Sequence, residues 1–153
     1  MLEKRSKAPA FTLMDQNGDL VSLSDYDNQT IVLYFYPKDD TPGCTTQACS
    51  YRDHKEEFDK RNVEVIGVSK DDIKSHIRFK EKYNLNFPIL SDPDTNVVQR
   101  YGVWQEKNRF GNKYMGIVRT TFIIRNGIIE EIFENVDPKT DVDLVLKAID
   151  GLK

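Results

Sequence analysis

Apolar positions along this chain fall into short blocks, and the spacing inside each block separates strands from helices. Ile31-Val32-Leu33-Tyr34-Phe35-Tyr36 is unbroken, as expected of a strand covered on both faces. Val63-Glu64-Val65-Ile66-Gly67-Val68 reads as a second buried strand. Phe11-Thr12-Leu13-Met14 and Leu20-Val21-Ser22-Leu23 flank the turn formers Gln16-Asn17-Gly18-Asp19, which predicts an N-terminal hairpin. Helical spacing covers residues 42–60, a second helix runs from Asp71-Asp72 to about Tyr83-Asn84, and a short third spans 93–101 with Pro93 near its first turn. A short strand is predicted at 87–90. Beyond the turn signal Phe110-Gly111-Asn112-Lys113, strands are predicted at 115–118, 120–124 and 128–133, the last two joined through Arg125-Asn126-Gly127. Asp137-Pro138 reads as the N-cap and first position of a final helix ending near Gly151.

The resulting order is a hairpin, a βαβ unit, a helix, a β-hairpin and a helix. It predicts an α/β fold with one central mixed sheet flanked by helices, best matched by a thioredoxin-like core carrying an N-terminal β-hairpin extension. The 153 residues suffice for one domain, taken as 1–153, and can bury a core without disulfide staples. Acids and bases are interspersed at a net charge of −3, so the basic footprint of a nucleic-acid binder is missing. No apolar run approaches the ~18 residues of a membrane span. The opening Met1-Leu2-Glu3-Lys4-Arg5-Ser6-Lys7 lacks the apolar core of a secretory leader, and a cytoplasmic protein is expected.

Cys44 and Cys49 are the only cysteines, too few for a stapled secreted scaffold. They lie just past the end of the first buried strand, where ligands bind in open α/β sheets. Thr41 reads as a helix N-cap, Pro42 as the first helical residue and Cys44 as the third. Amides of a first helical turn have no intrahelical partner, and the positive end of the dipole lies there, so a thiolate is favoured over a thiol. Lys38 supports that effect, while Asp39 and Asp40 are expected to face solvent. The alternative for each cysteine is plain packing as a small apolar side chain. In an intact helix the two Cα atoms would be roughly 8.6 Å apart, beyond the reach of a disulfide. If these thiols react together, the first turn or two must unwind.

Other cysteine chemistries fit poorly. Four residues intervene where a dithiol reductase has two. Ser50 stands where a Cys-x5-Arg phosphatase loop needs arginine. His54 and His76, the only histidines, are expected at the surface or its boundary, and His54 is too far along the helix to share a metal with Cys44. Arg119 precedes an apolar strand, but nothing local brings it to Cys44. A non-enzymatic redox sensor using the same thiol pair remains a competing reading.

The segment Pro37-x-x-x-Thr41-x-x-Cys44 resembles the active-site motif of the peroxiredoxins. The longer run from Phe35 to Thr45, with Cys49, is similar to that of the peroxiredoxin Q group, also called bacterioferritin-comigratory proteins. Lys7-Ala8-Pro9-Ala10-Phe11, Tyr101-Gly102-Val103-Trp104, Gly116-Ile117-Val118-Arg119 and Thr121-Phe122 resemble further segments of that group in the same order. Gln47 stands where many members carry glutamate, and Arg5-Ser6 replaces a common glycine. The resemblance implies that Cys44 is the peroxidatic nucleophile, that Thr41 hydrogen-bonds thiolate and peroxide, and that Arg119 holds the thiolate charged. It implies that Pro37 shields the pocket and that Cys49 is the resolving thiol. It further implies peroxide as substrate, a thioredoxin-like dithiol protein as reductant, a monomer or at most a weak dimer, and no metal, haem or flavin.

Overall fold

A computed structural model describes residues 2–152; Met1 and Lys153, the ends of the expected 1–153 domain, lie outside the described residues. Seven strands form one sheet in the order β2-β1-β5-β4-β3-β8-β9. They are β1 (Thr12–Met14), β2 (Leu20–Ser22), β3 (Thr30–Phe35), β4 (Val63–Ser69), β5 (Ile89–Ser91), β8 (Thr120–Arg125) and β9 (Ile128–Phe133). The strands β3, β4 and β5 are parallel, whereas β8 returns antiparallel to β3, so the sheet is mixed as expected.

Because side chains alternate across a strand, β3 feeds two cores at once. Val32, Tyr34 and Tyr36 pack with side chains of α1 (Pro42–Asp53), α2 (Lys55–Lys60), α3 (Ile73–Tyr83) and α5 (Asp141–Asp150). Ile31, Leu33 and Phe35 pack on the other side against Phe11, Tyr101 and α4 (Asn96–Arg100). The Asn-Gly turn of the last hairpin forms as predicted, with Asn126 and Gly127 both at positive φ (52° and 77°).

Several elements differ from expectation, among them the strands predicted at 87–90 and 115–118, which span Ile89–Ser91 and Asn112–Ile117. The helix predicted over 42–60 is two helices, interrupted at His54, whose ring Nδ1 donates to the Ser50 carbonyl at 2.8 Å beside its own amide; a side chain entering the ladder in this way bends a helix. The third helix starts at Asn96, not Pro93, because the Asp92 carboxylate accepts from the Val97 and Val98 amides and sets the first turn there. The last helix starts at Asp141, since Asp137 instead organises a preceding turn, accepting from the Lys139 amide with its side chain and from Thr140 and Asp141 with its carbonyl. An unpredicted strand, β6 (Trp104–Arg109), pairs with β7 (Asn112–Ile117) in a separate two-stranded ribbon. It is largely solvated and carries almost no apolar alternation to betray it.

Candidate active site

The N-terminal turn of α1 presents Cys44. Thr41 is the N-cap and Pro42 the first helical residue, but Thr41 does not cap with its side chain; its Oγ1 donates to the Lys38 carbonyl at 2.9 Å. The first-turn amides of Gly43 and Cys44 therefore keep no side-chain cap. Cys44 is 1% exposed, on the inward stripe Cys44, Gln47, Ala48 and Tyr51. Cys49 is half-buried, both thiols are free, and α1 is whole between them.

Arg119 joins this turn through the sheet. Antiparallel pairing sets Thr120 opposite Phe35, so the residue before β8 arrives beside the end of β3 and the loop that leads to Cys44. Its Nη1 donates to Cys44 Sγ at 3.4 Å and to Gln47 Oε1 at 2.8 Å. The Arg119 carbonyl accepts from the Val136 amide, which fixes the backbone beneath the guanidinium. Pro37 and Arg119 both line a cleft of about 600 Å³, together with Tyr101, Val103, Lys107 and Val118. Burial lowers the Lys107 ammonium pKa, and the nearby Arg119 charge adds to that.

Gly43 explains how the guanidinium comes so close. A Cβ built there would lie 3.0 Å from Arg119 Nη2. Gly43→Ala should favour the helix by about 1 kcal/mol, yet displace a flexible side-chain end. The variant is expected to melt no lower than the parent while its thiol reacts about tenfold more slowly with peroxide. Thermal melts and single-turnover oxidation would check this; an undiminished rate would show that the close approach is idle.

Residues 5–132 match the family described as AhpC/TSA family. The "Putative peroxiredoxin bcp" of Coxiella burnetii is 50% identical over 143 residues, spanning 93% of this chain and 92% of the relative. "Peroxiredoxin Bcp" of Escherichia coli strain K12 is 46% identical over 140 residues, 91% of this chain and 90% of the relative. The chain belongs to the AhpC/TSA family; it is a peroxiredoxin. A solved structure of the Xanthomonas campestris bacterioferritin comigratory protein, described for its alkyl peroxide reduction activity, superposes with a TM-score of 0.88 at 34% identity, covering 92% of this chain and 90% of that one. The fold is accordingly the thioredoxin fold of the peroxiredoxins, and the chain is a thiol peroxidase of the Bcp and peroxiredoxin Q group.

Two sequence expectations around the peroxiredoxin's thiol are corrected. Asp39 does not face solvent; it is buried, accepting from Tyr36 Oη (2.6 Å) and Ser75 Oγ (2.7 Å), and it lies 2.6 Å from His76 Nδ1. His76 is fully buried rather than at the surface, its Nε2 donating to the Leu90 carbonyl at 2.9 Å. The physical reason is mutual: each polar group finds its partner inside, so neither needs water. The Asp39 amide also donates to Asp71 Oδ2 at 2.8 Å, while exposed Asp40 bonds Lys82 and Tyr83. Helical spacing carried a signal for His76, which falls three residues before buried Phe79 on α3.

Gln47 and Asp141 are polar neighbours that the sequence reading did not assign to the site. Gln47 Nε2, Tyr51 Oη and Thr121 Oγ1 all donate to Asp141 Oδ2, at 2.8, 2.6 and 3.0 Å. Gln47 sits three residues after Cys44 and four before Tyr51, a spacing that does mark it as inward-facing. Nothing local marks Asp141, whose site partners lie on other elements.

Proposed function

We propose that this peroxiredoxin reduces hydrogen peroxide and organic hydroperoxides by a two-thiol cycle confined to one helix. Thiolate Sγ of Cys44 attacks the terminal peroxide oxygen. The O–O bond breaks, the alkoxide or hydroxide takes a proton, and Cys44 is left as a sulfenic acid. The Arg119 contact to Cys44 Sγ is the observation that carries this reading: the cation lies against the attacking sulfur, where it can meet the charge that develops on the leaving oxygen. The uncapped Gly43 and Cys44 amides supply further donors. With its own proton on the Lys38 carbonyl, Thr41 Oγ1 is free to accept the hydrogen of an incoming peroxide. Pro37 lines the same cleft as Arg119, and its assigned part is to limit water reaching the sulfur past the arginine.

Cys49 then attacks the sulfenic sulfur, water departs, and an intramolecular disulfide forms. Both thiols lie within α1, so the helix opens locally for this step and closes after reduction. A thioredoxin or similar dithiol protein exchanges with the disulfide and returns both thiols. Because both cysteines come from the same helix, the single chain of residues 1–153 is the working domain and a monomer suffices. A reducing compartment such as the cytoplasm supplies the dithiol. The alkyl peroxide activity described for the Xanthomonas campestris protein supports the substrate class.

The test is a Cys49→Ser variant. It should consume about one peroxide per chain and then stall with thioredoxin and its reductase present. The parent, given one equivalent, should lose two hydrogens by intact mass. Sustained turnover of Cys49→Ser with thioredoxin would remove Cys49 from the resolving role.

A further inference from the structure

Asp141 opens α5 and is wholly excluded from solvent. Its Oδ2 receives three donors, whereas Oδ1 is buried with no hydrogen-bond partner among the described residues. Burial raises its carboxyl pKa above the ordinary range, against the opposing pull of the three donors and the Arg119 charge. An acid in this position is a poor choice for packing alone. An apolar side chain of similar size would fill the space without desolvating a carboxyl. The start of a ten-residue helix returns only part of that cost through its dipole.

What the acid does supply is direction. An amide side chain can present either its oxygen or its nitrogen to a neighbour, and only the surrounding network decides which. Tyr51 and Thr121 already donate to Asp141 Oδ2, so Gln47 meets an acceptor and turns Nε2 toward it. Gln47 Oε1 is thereby aimed the other way, at Arg119 Nη1, 2.8 Å distant. A reversed Gln47 would set oxygen against oxygen at Asp141 and N–H groups against the guanidinium.

We propose that Asp141 is a positioning residue for the peroxidase reaction: by fixing which end of the Gln47 amide faces Arg119, it seats the guanidinium on the Cys44 sulfur. This rests on the reading of Cys44 and Arg119 as the reacting pair. It also gives a physical reason for glutamine at 47 in this chain, because a glutamate there would face Asp141 acid to acid.

The experiment is single-turnover oxidation of Cys44 by hydrogen peroxide in four variants. Asp141→Leu should slow the step about tenfold, and Asp141→Asn should regain most of the rate, since its amide oxygen can take the Oδ2 seat. Gln47→Leu should be slow alone, and the Asp141→Leu/Gln47→Leu double variant no slower than the worse single one, because both act on one guanidinium. A merely structural role would instead lower the melting temperature and leave the rate of the folded protein unchanged, which would overturn the proposal, as would two effects that multiply. Should Asp141→Leu fail to fold, Gln47→Glu decides: it should be slow, and Gln47→Glu/Asp141→Asn should recover because the asparagine can donate to the glutamate. A Gln47→Glu variant at the parent rate would overturn the proposal while leaving the Cys44 and Arg119 assignment intact.

Discussion

Cys44→Ser is expected to abolish peroxide turnover, to the rate of buffer alone, in a coupled thioredoxin assay. The substitution exchanges one atom at a buried position, and Arg119 Nη1 can still donate to an oxygen there. The fold should therefore survive, and its melting curve should stay close to that of the parent. What is lost is the soft, ionisable atom that can open an O–O bond; a serine hydroxyl at the same place has no general base within the described site to activate it. Multiple turnover by this variant would refute the assignment of the nucleophile.

The second large effect is expected at Arg119. Arg119→Met keeps much of the side-chain length and removes every donor. Loss of one preorganised donor to a developing oxyanion costs about 10²- to 10³-fold in rate, so single-turnover oxidation of Cys44 should fall by that factor. Arg119→Lys restores the charge but not the rigid planar fork that holds Nη1 against both Gln47 and the sulfur. It should recover only part of the loss. A wild-type rate for Arg119→Met would show the contact to be incidental.

The parts of this molecule that could be read in advance are those set by neighbours in the chain. The unbroken apolar run of β3, the Asn-Gly turn, and the Thr41-Pro42 start of α1 each follow from local spacing and backbone preference. So does the place of Cys44 in the first helical turn. Arg119 could not be placed, because its approach depends on the antiparallel return of β8 along β3, a pairing between segments some 85 residues apart. The interior polar contacts were invisible for the same reason. Asp39 looked like a solvated loop acid until α3 brought Ser75 and His76 to it. The strand β6 escaped for a different cause: a ribbon that buries little has no reason to alternate.

The Asp39 contacts give the reaction helix a moored end. Tyr36, Ser75 and Asp71 hold the segment just upstream of Cys44 to the body of the protein through side chains and an amide. A helix tethered on one side does not peel symmetrically. In the two-thiol cycle proposed above, the stretch ahead of the first thiol would therefore stay berthed against α3, and the displacement would fall downstream, on the peptide that carries the second.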